Sequence, residues 1–270
     1  MDFKEGINHG WELVSEGLKA AADLMLPRFC IVCGRRLLLY ERHTCLHCLA
    51  DLPLTRFWEL THNSMADKFN AVLQCGLENA SVPCHERYAY AAALFFFSND
   101  APYRHILYNI KYKGRTDVGR YFGHMLGVRL ATAAAFRDVD CVIPVPLHWI
   151  RRWRRGYNQA EVIAGEVASV LNARLDCRML VRRRRTRTQT KLDIKDKAAN
   201  VAGAFGARRT LHRGNERHKA DNPPELRHIL LIDDVFTTGS TLHACFVALR
   251  SVFPPSVRIS VATLGFVGGA

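Results

Sequence analysis

Residues 229–241 read Ile-Leu-Leu-Ile-Asp-Asp-Val-Phe-Thr-Thr-Gly-Ser-Thr, an order that leaves a chain little choice of fold. Four consecutive apolar residues make a strand buried on both faces, as in a parallel sheet covered by helices. Two carboxylates follow at its C-terminal edge, and a hydroxyl-rich turn with one Gly opens onto a helix. Free N–H groups at that helix start, with the hydroxyls of Thr237, Thr238, Ser240 and Thr241, can converge on one phosphate monoester, and Gly239 lets the backbone come close. Asp233 and Asp234 would repel the same phosphate unless they hold sugar hydroxyls, directly or through Mg²⁺. The stretch therefore describes a cradle for a ribose 5-phosphate. Its plainer reading is a buried strand ending in an acid pair, followed by a Thr/Ser helix cap. A Walker loop is excluded, because no G-x-x-x-x-G-K-S/T occurs in the chain.

The surrounding pattern supports an α/β fold. Strands are expected at 90–97, 139–147, 174–180, 228–233 and 257–265, alternating with helices at 102–113, 118–136, 158–171 and 240–252, which implies βαβ units and a parallel sheet. Trp11, Val14, Leu18, Ala21 and Met25 recur at helical spacing, so residues 1–27 read as an amphipathic helix ending at Pro27. The expected organisation is that helix, a four-cysteine module over 28–56, a polar connection over 57–87 and the α/β domain over 88–270. With 270 residues, 49% of them apolar, the chain can bury a sizeable core and is neither disordered nor a disulfide miniprotein.

Nine cysteines include two C-x-x-C pairs, Cys30/Cys33 and Cys45/Cys48. Each two-residue gap lets both sulfurs of a pair face one ion, and four sulfurs complete a tetrahedron, so a structural Zn²⁺ with no open catalytic position is expected. His43 and His47 are rival ligands. Paired redox motifs are the alternative, but those sit at helix starts and seldom come twice within so short a stretch. The remaining cysteines read as buried thiols. The N-terminus lacks the basic flank and apolar run of a signal peptide, and no apolar run is long enough to span a bilayer, so a cytoplasmic protein without membrane insertion is expected.

The chain carries 38 Lys and Arg against 25 Asp and Glu, a net charge of +13, which makes polyanions natural partners without choosing among them. Arg151, Arg152, Arg154 and Arg155 interleave with Trp149, Trp153 and Tyr157, and Arg182 to Arg185 form a second block with Arg187. Such blocks suit a phosphate backbone and stacked bases. They equally suit a pyrophosphate-binding loop and a mobile active-site flap. Arg151, Arg155, Arg184, Arg185 and Arg187 are the candidates under either use.

The strand, acid pair and hydroxyl turn at 229–241 resemble the signature of the phosphoribosyltransferases, which bind phosphoribosyl pyrophosphate. The four-cysteine segment, Ile110 to Gly114, Pro144 to Leu147, Arg155 to Gln159, Thr188 to Thr190 and Asn200 to Phe205 also follow the order of ComF-type proteins. Lys197 stands where that pattern would place Arg. The resemblance implies a zinc-ribbon-like module before a type I phosphoribosyltransferase-like domain, and a link to natural competence and DNA uptake. It implies Asp233 and Asp234 for ribose hydroxyls and Mg²⁺, and Thr237, Thr238, Gly239, Ser240 and Thr241 for the 5-phosphate. Val145, Pro146 and Leu147 would form the pyrophosphate loop, with Lys111 and Lys113 reaching it from the preceding helix.

Three functions follow from the resemblance and the charge. One is Mg²⁺-dependent transfer of the phosphoribosyl group with loss of pyrophosphate. Another is a non-catalytic uptake factor that binds single-stranded DNA or a competence helicase. The third is a sensor that binds phosphoribosyl pyrophosphate without turning it over. Acceptor and oligomeric state are left open.

Overall fold

The computed structural model describes residues 25–78, 87–183, 203–208 and 226–268. The expected helix over 1–27 and the loop at 212–225 lie essentially outside these. The chain divides into two compact units, Met1–Leu52 with Asn99–Ile106, and Pro53–Ser98 with Leu107–Ala270.

The larger unit is an α/β sheet of the expected class. In chain order the described elements are α1 (Leu46–Ala50), α2 (Ser64–Glu78), β1 (Ala91–Phe96), α3 (Arg104–Tyr112), α4 (Thr116–Ala131), β2 (Cys141–Pro144), α5 (Trp149–Arg155), α6 (Gln159–Leu171), β3 (Arg174–Leu175), β4 (Leu180–Arg182), β5 (Phe205–Ala207), β6 (His228–Phe236), α7 (Ser240–Arg250) and β7 (Arg258–Phe266). Five strands pair in the order β1-β7-β6-β2-β3, all parallel. Ile229 to Ile232 and Ile259 to Phe266 are buried along the central strands, as near-continuous apolar runs should be in a sheet covered on both sides. Pro53 to Thr55 cover the edge strand, with Phe96 N–H donating to Pro53 O (2.8 Å) and Thr55 N–H to Leu94 O (3.2 Å).

Connections decide where a ligand can sit. From β2 the chain moves outward through α6 to β3, whereas from β6 it moves the other way through α7 to β7. Right-handed crossovers in opposite directions put α6 and α7 on opposite faces and leave a crevice beyond the C-terminal ends of β2 and β6. α4 packs on α6, β1 and β7, while α7 packs on α2 and the small antiparallel pair β4/β5. α4 meets α6 through Gly119, Gly123 and Gly127, where a Cβ on Gly123 would stand 3.1 Å from both Cα and O of Ile163.

Several elements differ from expectation. The region 174–180 is not one strand: Asp176 Oδ1 accepts from the backbone N–H of Arg178 and of Met179, both at 2.9 Å, a side-chain turn that ends β3 and releases β4 into a separate sheet. The segment read as a polar connection contains the fifteen-residue α2. Asn63 caps it, its Oδ1 accepting from Met65 N–H (3.1 Å) and Ala66 N–H (2.9 Å) while its Nδ2 donates to Ala91 O (2.9 Å) on β1. The arginine-rich stretch after β2 forms α5, capped by His148 and closed by left-handed Gly156. Cys141 and Cys245 are buried thiols as expected, but Cys177 is exposed.

Candidate functional site

In the smaller unit, the local fold gathers four thiols. Cys30 N–H donates to Arg35 O (2.7 Å) and Gly34 N–H to Cys30 O (2.9 Å), a tight turn that folds Cys33 back beside Cys30. Ile31 N–H donates to His43 O (3.0 Å), bringing the second pair alongside. Cys45 caps α1, its Sγ accepting from Cys48 N–H at 3.5 Å. The four Sγ atoms lie within 4.8 Å of one another, a spacing at which one tetrahedral ion can be shared. His47 is directed away and pairs with Asp51 at 3.2 Å. Burial opposes ionisation of the Cys30 thiol, but N–H groups of Cys33, Cys45 and Val32 outweigh it and bring its pKa down to about 7.

In the larger unit, the crevice beside β6 is a cavity of about 710 Å³. β2 stops pairing at Pro144 opposite Ile232, and Val145 N–H makes a last bond to Ile232 O at 2.8 Å. β6 runs on to Phe236 paired only with β7. Its free edge therefore begins at Asp233, and both Asp233 and Asp234 line the cavity. Lys111 Nζ lies 3.1 Å from Asp234 Oδ1. Burial, then the charge of Asp234, push the Asp233 carboxyl up to about 7 against the pull of Lys111 and Arg182.

The opposite wall comes from the Val145–Leu147 turn and α5. Asn158 holds the turn, its Nδ2 donating to Val145 O (3.0 Å) while its Oδ1 caps α6 by accepting from Ala160 N–H (3.2 Å). Tyr157 donates its hydroxyl to Ile110 O, tying the start of α6 to α3. Arg155 donates to Gln159 Oε1 (3.0 Å), and its guanidinium lies 5.3 Å from the Tyr112 ring centroid. Arg182 reaches the cavity from β4, its pKa lowered by burial and by the charge of Arg151. Five cations, Lys111, Arg151, Arg154, Arg155 and Arg182, thus face two carboxylates. A space so lined accepts a polyanion carrying its own cation better than any neutral ligand.

The floor turns into α7 through Thr237 to Thr241. Gly239 caps the helix with φ +76°, and a Cβ there would meet the Phe236 ring at 2.8 Å. Thr238 Oγ1 and Ser240 Oγ are 2.9 Å apart.

No family profile matches the chain. Competence protein F of Haemophilus influenzae is 32% identical to it over 120 residues, 44% of this chain and 48% of that protein. The DNA utilization protein YhgH of Salmonella typhimurium is 24% identical over 228 residues, 81% of this chain and 89% of that protein. The chain is thus similar to ComF-type proteins. The YhgH of Escherichia coli O6:H1 matches at 28% over 144 residues, 58% of its length. The chain thus spans about half the length of the first relatives it matches.

Among the residues expected at the site, Asp233, Asp234, Thr237, Thr241, Val145, Pro146, Leu147, Lys111, Arg151 and Arg155 line this cavity. Thr238, Gly239 and Ser240 form the turn beside it. Lys113 is exposed beyond the end of α3 and is not on the wall. Arg184, Arg185 and Arg187 lie outside the described residues. Tyr112, Gly114, Asn158, Gln159 and Arg182 line the cavity without having been assigned a role there. Asn158 and Gln159 stand in the Arg-Gly-Tyr-Asn-Gln run, where an Asn directly before a helical pattern signals a cap.

Proposed function

We propose that the crevice binds phosphoribosyl pyrophosphate with Mg²⁺ and that the protein serves DNA utilization in the cytoplasm. The observation that carries this reading is the pairing of two adjacent carboxylates with a hydroxyl turn at the switch point of a parallel sheet, under five cations. Asp233 and Asp234 supply hard oxygen donors suited to Mg²⁺ and to ribose hydroxyls, and a carboxyl pair pushed towards neutrality is one that such a cation would relieve. The Thr237–Thr241 turn and the first amides of α7 hold the 5-phosphate. Lys111, Arg151 and Arg155 hold the pyrophosphate, and Asn158 keeps the Val145–Leu147 turn in place beneath it. If the sugar is transferred, the C1–O bond to pyrophosphate breaks as the acceptor's lone pair forms the new bond at C1. The cations then stabilise the departing charge. The names of the relatives, competence protein F and DNA utilization protein, support the biological role.

A ligand bound only by the folded state raises stability by about 2.7 kcal/mol at a hundred times its Kd. Phosphoribosyl pyrophosphate with Mg²⁺ is accordingly expected to raise the melting temperature. No shift, or the same shift with EDTA in place of Mg²⁺, contradicts the reading.

We also propose that Cys30, Cys33, Cys45 and Cys48 hold a structural Zn²⁺. One equivalent of zinc is expected in purified protein and none in Cys45→Ser, with loss of structure in that unit, because structural zinc contributes roughly 10 kcal/mol or more to folding. Wild-type protein purified without stoichiometric metal contradicts it.

A further inference from the structure

The helix after β2 separates two kinds of side chain that alternate in the sequence. At 100° per residue, Arg151, Arg154 and Arg155 fall on one side of α5, and all three line the cavity. Trp149 and Trp153, one turn apart, fall on the opposite side and are 70% and 83% exposed. None of the residues of α5 is buried, so these indoles do not anchor the helix to a core. The caps hold it instead: His148 Nδ1 accepts from Ile150 N–H at 3.3 Å, and Gly156 N–H donates to Arg152 O at 2.7 Å. The His148 ring lies 5.7 Å from that of Trp149 at 32°, which limits the rotamers of that indole. Arg152, exposed and absent from the cavity wall, adjoins Trp153 and also reaches Glu161 at 3.0 Å.

Leaving two tryptophans in water forgoes the largest apolar burial any side chain offers. Rigid, exposed aromatic faces beside guanidinium groups are the equipment of a surface that stacks unpaired bases, with cations alongside for the phosphates. We propose that the outer face of α5 is a base-stacking platform for single-stranded DNA, with Trp149 and Trp153 each taking a base and Arg152 neutralising an adjacent phosphate. The platform stands apart from the crevice reading, because its residues face away from the cavity. It moves the expected nucleic-acid contact from Arg151 and Arg155, which the cavity uses, to the tryptophans. The net charge of +13 favours a polyanion over an apolar protein partner on this face.

The test is titration of the full chain with a fluorescein-labelled oligodeoxythymidylate, followed by anisotropy and by indole quenching, with a duplex of equal length in parallel. The single strand is expected to bind more tightly than the duplex and to quench indole emission, since Trp58 is buried. Trp149→Ala/Trp153→Ala is expected to weaken binding by about tenfold or more, and Trp149→Phe/Trp153→Phe to restore part of it. Both side chains are exposed, so the melting temperature should not move, and the response to phosphoribosyl pyrophosphate with Mg²⁺ should be retained whether or not the platform exists. No binding by the wild type, equal affinity for duplex, or undiminished binding by the alanine variant overturns the proposal.

Discussion

Neighbouring residues on a strand point to opposite faces of a sheet, so a crevice lying over one face would receive only one member of the Asp233–Asp234 pair. Both reach the cavity because β2 ends opposite Ile232 and exposes the edge of β6 from Asp233 onward. The cost is electrostatic. A carboxyl whose folded pKa is raised from 3.8 to about 7 contributes stability that is full below about pH 4 and lost as pH rises through 7. Asp233→Asn is therefore expected to match the wild type in melting temperature below about pH 4, to exceed it increasingly as pH rises to about 7, and to keep a constant advantage above that. An asparagine variant less stable than wild type at pH 8 would make the acid pair a structural device. The acids and the hydroxyl turn were legible because they are contiguous with the strand that carries them. Arg182, Tyr112 and Asn158 were not, because their convergence depends on the β4/β5 hairpin, the end of α3 and the cap of α6 folding to one place.

At the scale of elements, the α4–α6 contact sets how closely the helices cover the sheet beside the crevice. Ala gains about 0.5–1 kcal/mol over Gly inside a helix. Gly123→Ala, however, pushes a Cβ to 3.1 Å from backbone atoms of Ile163, which cannot yield as a side chain would. Overpacking typically costs about 1–3 kcal/mol, so a lower urea midpoint is expected. Gly165→Ala, whose Cβ would meet nothing nearer than Leu175 Cδ2 at 4.0 Å, should raise it. Two midpoints moving in the same direction would contradict this packing account. Most strands and helices of the larger unit were readable from apolar runs and periodicity. α2 was not, because the polar residues of 57–87 read as a connection. Asn63 in fact opens a helix whose Met65, Ala66, Phe69 and Leu73 are buried. α5 was hidden for a related reason, since its arginines and tryptophans suggested a binding loop and only the caps at His148 and Gly156 mark a helix.

At the scale of the whole molecule, charge and topology act together. The sheet order places one switch point between β2 and β6, and the cations lining the crevice there outnumber its carboxylates five to two. Among the described residues no helix is long and apolar enough to cross a membrane. The same basic chain is thus proposed to offer two polyanion surfaces, the crevice and the outer face of α5. The parallel sheet and the thiol cluster were legible because each depends on local spacing. The split of α5 between its two faces required the fold. The most direct measurement is calorimetric titration of phosphoribosyl pyrophosphate with Mg²⁺ into the wild type and into Asp233→Asn/Asp234→Asn. Saturable, Mg²⁺-dependent heat in the first and its loss in the folded variant are expected. Absence of binding by the wild type, or equal binding by both, would contradict the central claim.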